Sequence, residues 1–194
     1  MTIWTKLAAF AYLETENLLL RPFSYNDGQA FYRIVSHPEN LSFIFPFKAK
    51  KEEALDLMVE MFLKNPLGKW AIEDKVNHQL IGAISFENWQ EQKNQVELGY
   101  FIRKDYWGQG LATEAVKNIT WLGLYQMGLS RISIIAHLEN RASQRVAEKS
   151  DYVLLKQYKG SDRYSHQMRQ YRHYYVTKQM LKEVEREKRK NDYH

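Results

Sequence analysis

Hydrophobic residues occupy every second position between residues 96 and 102, at Val96, Leu98, Tyr100 and Ile102. A period of two predicts a β-strand with one buried face. A polar stretch follows, and the apolar residues then recur at helical spacing, at Ala112, Ala115, Val116, Ile119 and Leu122. This spacing predicts a helix that ends near Gly128. Residues 96–128 therefore predict a strand, a loop and a helix in succession.

The loop before this helix contains two glycines, Gly108 and Gly110. A helix N-terminus binds anions because its first amides have no partner within the helix and the helix dipole is positive there. Glycine lets the backbone approach a phosphate closely, since it has no Cβ. A dinucleotide fingerprint would need glycine at Thr113, and a P-loop would need a Gly-Lys-Ser/Thr ending that this loop does not have. The loop is thus either a phosphate cradle of another type or a tight strand-to-helix turn.

The remainder of the chain alternates between strand and helix patterns, with no internal repeat. Predicted strands cover residues 17–22, 70–74, 79–89, 132–136, 152–158 and 172–178. Predicted helices cover residues 3–12, 27–36, 51–64, 140–149 and 179–190. Asn26 or Asp27 is the expected N-cap of the second of these helices. This order predicts an α/β or α+β domain built on a single sheet.

The length of 194 residues suits one domain with a sizeable core. We assign residues 17–178 to that domain, residues 1–16 to an N-terminal packing extension and residues 179–194 to a charged C-terminal helix. The lack of cysteine excludes a disulfide framework and a covalent cysteine mechanism, and it fits a cytoplasmic protein. No apolar run approaches the roughly 20 residues of a membrane span, so we expect no membrane partner.

The positive charge of the chain is concentrated in one segment. The formal net charge is +5, and residues 156–178 hold six basic residues against Asp162 alone, so this segment carries the whole excess. Such a stretch attracts anionic groups on a substrate, a cofactor or a nucleic acid. Because tyrosines are interleaved with these cations, one hypothesis is a module that binds single-stranded nucleic acid or the ribosome through charge and stacking.

Residues 107–112 have the sequence Trp-Gly-Gln-Gly-Leu-Ala and continue as Thr-Glu-Ala. This window resembles the acetyl-CoA motif of the GNAT N-acetyltransferases, whose general form is Gln/Arg-x-x-Gly-x-Gly/Ala, although Trp107 stands in place of the first Gln or Arg. The run Tyr-Trp-Gly-x-Gly followed by Ala-Thr-Glu-Ala is similar to the RimJ/RimL branch, which acts on ribosomal-protein N-termini. The resemblance covers residues 14–178.

The resemblance implies a mixed, mostly antiparallel sheet of about seven strands, splayed in the middle and with helices on both faces. It implies acetyl-CoA as co-substrate, no metal, and direct transfer of the acetyl group to a primary amine on a protein N-terminus or a small molecule. The pantetheine would pair along residues 99–102, with an N–H near Tyr100 donating to the acyl oxygen. The implied cofactor contacts are Tyr100, Phe101, Ile102, Trp107, Gly108, Gln109, Gly110, Leu111, Ala112, Asn140 and Ser143. It leaves open whether the protein is a monomer or a homodimer.

Asn140 and Ser143 match the Asn-x-x-Ser pattern of the family. The resemblance implies that Asn140 clamps the pantetheine amide and that Ser143 protonates the leaving thiolate. The alternative is a plain helix cap, with Asn140 as the N-cap and Ser143 in the first turn.

Glu97 is the candidate general base, because Val96 and Leu98 point into the core and Glu97 therefore points to the opposite face. One alternative is a solvated strand glutamate, and another is direct attack by an amine that is already neutral. His137 is a second candidate base, with a surface or hydrogen-bonded histidine as its alternative. Glu114 lies in the first turn of the helix, where a carboxylate suits the dipole, and we interpret it as structural.

The acceptor site in this family lies between the segment that joins the first two helices and the loop that joins the last two strands. Here these are the aromatic residues 41–47 and the basic residues 159–170, with Trp89 as a further lining candidate, although the aromatics could equally belong to the core. The charge excess would then border the acceptor. We therefore expect an amine accompanied by negative charge, such as an acidic N-terminal peptide, in preference to a polyamine.

Overall fold

An eight-stranded sheet is the framework of the chain in the computed structural model, which describes residues 1–37, 39, 41, 43, 50–162 and 165–191. Within these residues the strands are β1 (Leu13–Glu14), β2 (Leu18–Arg21), β3 (Lys69–Asp74), β4 (Gln79–Gln90), β5 (Gln95–Ile102), β6 (Arg131–His137), β7 (Val153–Ser161) and β8 (Met168–Val176). The helices are α1 (Ile3–Ala9), α2 (Gly28–Val35), α3 (Lys51–Met58), α4 (Leu111–Trp121), α5 (Arg141–Lys149) and α6 (Lys178–Asn191). The order across the sheet is β1-β2-β3-β4-β5-β6-β8-β7.

The sheet is mixed and mostly antiparallel, as expected, with β5 and β6 as its parallel pair. It has one strand more than the expected seven because the two-residue β1 pairs with Leu19 and Leu20 of β2. Each predicted strand and helix is present. The prediction of a single-sheet α/β or α+β fold is therefore confirmed.

Alternation along β5 separates the two faces of the sheet. Val96 and Leu98 are buried in a core with the apolar side of α4, and we call this side the α4 face. Phe101 points the other way into a second core with α2 and α3, where its ring lies 6.5 Å from that of Phe62. We call that side, which also carries Glu97, the α3 face. Helices thus cover both faces, as expected.

The sheet is splayed between β5 and β6. These strands pair over three residues, from Gln95–Arg131 to Glu97–Ser133, although each continues for four or five residues more and both are described along their whole length. On its other side β5 stays paired with β4 as far as Ile102. The divergence therefore opens a gap on the β6 side of β5 alone, and the expected splay is confirmed.

Asp27 precedes α2, as predicted, but its side chain bonds backwards along the chain. A 3₁₀ turn over Tyr25–Asp27 leads into the helix. The Asp27 carboxylate accepts a hydrogen bond from the Ser24 amide at 2.8 Å and pairs with the Arg21 guanidinium at 2.8 Å. The carboxylate therefore fixes the end of β2 to the start of α2.

The last two strands form a longer hairpin than predicted. We expected strands over 152–158 and 172–178 around a long polar loop, but β7 continues to Ser161 and β8 begins at Met168. Cross-strand pairs such as Tyr158–Tyr171 and Gly160–Arg169 extend the ladder. The connection therefore shrinks to residues 162–167, of which 163 and 164 lie outside the described residues.

Two helices end in a wider turn. Both α3 and α4 continue as π-helical turns, over Val59–Leu63 and Leu122–Met127. Gly128 ends the second with a backbone φ of +82°, a conformation that favours glycine. In the part of the chain that the structure describes, no helix is both long and apolar enough to cross a membrane.

Candidate active site

The N-terminus of α4 is an open surface of backbone donors. Gly108 and Gly110 have φ of +77° and +83°, and a Cβ built on either would meet no atom of the described residues within 4 Å. The first helical bond runs from the Glu114 amide to the Gly110 carbonyl at 2.9 Å. The amides of residues 111–113 therefore have no partner within the helix. The two glycines allow the positive φ angles of the loop and leave open space in front of the helix N-terminus, because no described atom lies close to them.

The backbone of β5 is unpaired along the gap. The Arg103 amide donates to the Ile81 carbonyl of β4 at 2.7 Å, and alternate residues of an antiparallel ladder face opposite sides. The Tyr100 amide therefore points towards β6, beyond the last β5–β6 pair, whereas the Leu98 amide belongs to that pair. At the end of the strand the Trp107 indole donates to the Ile102 carbonyl at 2.6 Å. An extended ligand could pair with this edge as an added strand.

Phe101 does not face this gap, although the sequence analysis included it among the cofactor contacts. Its side chain is buried on the α3 face, and its carbonyl points to β4, where it would lie 2.1 Å from a Cβ placed on Gly82. The alternation that turns Tyr100 towards the gap turns Phe101 away from it.

Ser143 and Tyr100 meet on the α4 face beneath the gap. The two hydroxyl oxygens are 3.0 Å apart, and the Asn140 Oδ1 accepts a hydrogen bond from the Ser143 amide at 3.0 Å. Asn140 is therefore the N-cap of α5, which was the alternative to cofactor contact, and its side-chain NH₂ is a separate group. Burial raises the pKa of Tyr100 to about 12, against the opposing effect of the Ser143 hydrogen bond. The Tyr100 hydroxyl thus stays protonated at neutral pH.

Two carboxylates lie on the α3 face next to the gap. Glu87 of β4 stands directly opposite Glu97 of β5, and residues paired in this way share a face. Asn88 donates its Nδ2 to Glu97 Oε2 at 2.7 Å, and Ser85 donates its Oγ to Glu87 Oε1 at 3.0 Å. A Cβ placed on Gly99 would lie 3.1 Å from Glu87 Oε1. Glu87 therefore lies over the strand residue that precedes Tyr100.

Residues 17–153 match the family model of the acetyltransferase (GNAT) domain. The chain belongs to the GNAT acetyltransferase family. It is 29% identical over 156 residues to the uncharacterized N-acetyltransferase YoaA of Bacillus subtilis, which is 77% of this chain and 88% of the relative. The protein is therefore an acyltransferase, and the expected recognition is confirmed.

Solved structures share the fold of this GNAT domain. A GNAT-family acetyltransferase from Bacillus anthracis superposes with a TM-score of 0.77 at 22% identity, over 86% of this chain and 98% of the other. RimL, a ribosomal L7/L12 α-N-protein acetyltransferase solved with coenzyme A, superposes with a TM-score of 0.74 at 16% identity, over 86% of this chain and 97% of the other. These matches are to acetyltransferases, and they give no support to the nucleic-acid-binding hypothesis.

His137 of this GNAT domain lies beside a carboxylate and two aromatic rings. Its Nε2 lies 3.3 Å from Asp162 Oδ2, and its ring lies 5.4 Å from that of Phe43 and 4.6 Å from that of Tyr171. Phe43 and Asp162 belong to the two segments that were expected to border the acceptor. The other aromatic residues predicted there, Phe45 and Phe47, lie outside the described residues.

Glu114 ties the N-terminal segment to α4. Its carboxylate accepts hydrogen bonds from the Thr15 hydroxyl at 2.5 Å, the Asn17 amide at 2.8 Å and the Asn17 side-chain NH₂ at 2.8 Å. Partial burial alone would raise the pKa of Glu114, but the bonds from Thr15 and Asn17 outweigh it and hold the pKa below its usual value. The structural interpretation of this residue agrees with these contacts.

The cations of residues 156–178 are divided between the two faces. Lys156 pairs with His173 and Arg169 with Gly160 on the α3 face, which is the face of Glu97. Arg172 lies on the α4 face, where its Nη1 donates to Gln144 Oε1 at 3.0 Å. These cations therefore do not gather on one face, and Arg163 lies outside the described residues, so part of the basis for expecting an acidic acceptor is removed.

The sequence analysis missed Glu87 and Asn88. Glu87 could have been found, because Ser85 and Glu87 alternate with the buried Ile84 and Phe86 along β4. Asn88 has no such signal. It reaches Glu97 because its backbone is left-handed, with φ of +48°, at an irregularity in the β4–β5 pairing.

Proposed function

We propose that this enzyme transfers the acetyl group of acetyl-CoA to a primary amine, by direct attack within a complex of all three. The observation that carries the proposal is the continuity of two backbone surfaces. The unpaired edge of β5 leads directly into the loop at residues 107–110 and then into the open N-terminus of α4. An extended amide chain that ends in phosphates matches both surfaces in one orientation.

The proposed cofactor site consists of the β5 edge and the N-terminus of α4. The amides of residues 111–113 would hold the pyrophosphate, with the glycines leaving room for it. The edge at Leu98 and Tyr100 would pair with the pantetheine amides, and the Asn140 NH₂ is a further donor or clamp at the facing helix. The Tyr100 amide is then the donor nearest the acyl oxygen, where it would stabilise the charge that develops during attack.

The transfer itself moves one acyl group and two protons. The amine nitrogen forms a bond to the acyl carbon while the carbon–sulfur bond breaks; the amine loses a proton and the thiolate gains one. In this proposal Glu97 takes the first proton, directly or through a water. Ser143, whose hydroxyl oxygen lies 3.0 Å from that of Tyr100, gives the second. The competing route needs no base, because an already neutral amine attacks by virtue of its position.

The acceptor is either a protein N-terminus or a small amine. RimL, whose fold this chain shares, acts on a protein N-terminus. A screen of N-terminal peptides and small amines with acetyl-CoA, read by release of free thiol, tests the proposal. We expect thiol release that depends on the amine, together with an acetylated product by mass spectrometry and CoA binding by calorimetry. A folded protein without CoA affinity would refute it.

A further inference from the structure

A cavity of about 780 Å³ lies beside Glu87 and outside the segments from which the acceptor site was expected. β3 begins at Lys69, opposite Ser85, so β4 beyond Ser85 has no β3 partner and borders the cavity instead. Its apolar lining comes from α1, from α3 and its π turn, and from β4, with Trp4, Leu57, Met61, Phe62, Phe86 and Trp89. This volume lies within the range of pockets that hold small ligands, about 300–1,000 Å³.

The polar end of the cavity reaches the proposed reaction centre. Glu87 and Asn88 line it, and Asn88 hydrogen-bonds Glu97 at 2.7 Å. Glu87 lies over Gly99, next to the Tyr100 amide that we assign to the acyl oxygen. The polar end of the cavity thus lies beside the proposed position of the attacking amine, and the rest of the cavity is lined by apolar side chains.

Among the described residues, one cation, Lys69, also lines the cavity. Lys69 is engaged through its Nζ, which donates to the Met61 carbonyl at 2.5 Å. Glu87 is the carboxylate among these described residues, and it lies at the end next to the gap. A ligand that fits carries an ammonium group at that end and an apolar body at the other.

We propose, on the basis of the proposed function, that this cavity binds the acceptor and selects primary amines attached to an aromatic or large apolar group. Glu87 binds the ammonium before reaction, and the walls formed by Leu57, Met61 and Trp89 bind the apolar body. Phenethylamine, or a peptide whose first residue is phenylalanine, is an acceptor of this kind. Polyamines and acidic peptides lack the apolar group beside the amine and fit this cavity poorly.

A matched set of acceptors tests the proposal with the full chain. We compare kcat/KM for phenethylamine with ethylamine, and for tetrapeptide amides that begin with phenylalanine, glycine or aspartate, at saturating acetyl-CoA. Burial of an apolar group in a complementary pocket gives about 10- to 200-fold discrimination. We expect at least about a tenfold preference for the aromatic member of each set.

Two variants connect this preference to the cavity. Leu57→Trp, or Met61→Phe if the former does not fold, narrows the cavity and should reduce the preference to below about threefold. The control variant Val76→Trp introduces tryptophan on the exposed β3–β4 turn and should leave the preference for the aromatic acceptor unchanged. Glu87→Gln should raise KM for phenethylamine about tenfold with a much smaller change in kcat, because it removes a charged partner of the ammonium. Glu87→Asp should recover part of that loss.

Equal rates across the set, or a preference for ethylamine, spermidine or the aspartate peptide, would overturn the proposal. So would a preference that survives cavity narrowing in a variant with unchanged CoA affinity, or a Glu87→Gln effect confined to kcat. These outcomes leave acetyl transfer itself in place. Failure of the proposed function is a different result, in which no amine is acetylated and CoA does not bind.

Discussion

The edge of β5 that faces β6 and the α3 face of the same strand present different chemical groups. Its edge towards β6 and the loop that follows present backbone groups, namely the amides of Tyr100 and of the start of α4. Its α3 face presents side chains, namely Glu97, with Glu87 and Asn88 from the neighbouring strand. A backbone surface depends on where strands part and where glycine stands, so many sequences can form it. A side-chain surface changes with every substitution. In the proposed function the backbone surface binds the cofactor and the side-chain surface binds the acceptor, so the acceptor can differ between relatives that share the cofactor.

The largest expected effect tests the side-chain surface. Glu97→Gln should lower turnover by roughly 10²–10⁴-fold if Glu97 removes the proton. Acetyl-CoA affinity should stay nearly constant, because Glu97 points away from the gap. Steady-state kinetics and calorimetry measure the two quantities, and Glu91→Gln, an exposed carboxylate after β4, is the control.

A loss of less than about threefold would instead support attack by the neutral amine. In that case the rate should rise with pH up to the pKa of the amine itself, which for an α-amino group is about 8.

The backbone surface is tested by Gly110→Val. Valine strains a backbone at φ of +83°, by about 1–3 kcal/mol, and its side chain enters the space at the helix terminus. We expect CoA affinity to fall about tenfold or more, which is a loss of about 1.4 kcal/mol, because the valine side chain occupies the space proposed for the phosphates. The amine KM should change little.

Gly128→Val is the matched control for this change. Gly128 has φ of +82° and similarly open surroundings, but it lies at the far end of the helix. Both variants should lose stability to a similar extent, and only the first should lose CoA affinity. Equal CoA affinity in the two folded variants would mean that the loop is a turn without a cofactor role.

A smaller effect is expected where α4 is fixed to the N-terminal segment. Glu114→Gln replaces a carboxylate that accepts three hydrogen bonds, and we expect a loss of about 1–3 kcal/mol in the free energy of unfolding. Because the folded-state pKa of Glu114 is lowered, its contribution is present above the unfolded-state pKa and disappears as pH falls through the folded-state value.

The measurement for Glu114 is urea unfolding at pH 7 and in acid. The difference between wild type and Glu114→Gln should shrink in acid, as the carboxylate of the wild type becomes protonated. A difference that is the same at both pH values would assign the effect to shape and not to charge.

The smallest expected effect concerns the cations of residues 156–178. Peptides that share a first phenylalanine and differ later, in acidic or basic residues, should show a preference for the acidic member of only a few-fold. Lys156 and Arg169 share the α3 face with Glu97, and Lys159 and Arg172 do not, so only part of the positive charge lies on the face proposed for the acceptor. Salt should reduce the preference further. A large preference that resists salt would require a direct contact with the acidic residues.

Sequence patterns were sufficient to predict the elements that form the backbone surface. The period of two around Leu98, the glycines at 108 and 110, and the Asn140–Ser143 spacing placed the strand, the loop and both helix ends. These features are local, so a window of a few residues contains them. The orientation of Phe101 could also have been predicted, because alternation along β5 turns its side chain away from that of Tyr100.

The side-chain surface depends on pairs of residues that are distant along the chain. Glu87 meets Glu97 through the β4–β5 register, and Asn88 reaches Glu97 only because the strand departs from regular pairing there. The apolar cavity combines α1, α3 and β4, which no single window contains. The length of the β7–β8 hairpin was underestimated for a similar reason, since Gly160 and Arg169 extend the ladder only as partners.

The hydrogen bond from the Trp107 indole to the Ile102 carbonyl fixes one end of the unpaired edge of β5. It closes the unpaired edge at the end next to the phosphate loop, and the last β5–β6 pair, at Glu97, closes the other end. Between these stops lie about five residues of extended chain, or roughly 16 Å at 3.3 Å per residue. In the proposed complex this fixed span sets how far from its phosphates a thioester may lie. In this complex the distance between the phosphates and the thioester of the donor is therefore set by β5 and does not depend on the amine acceptor.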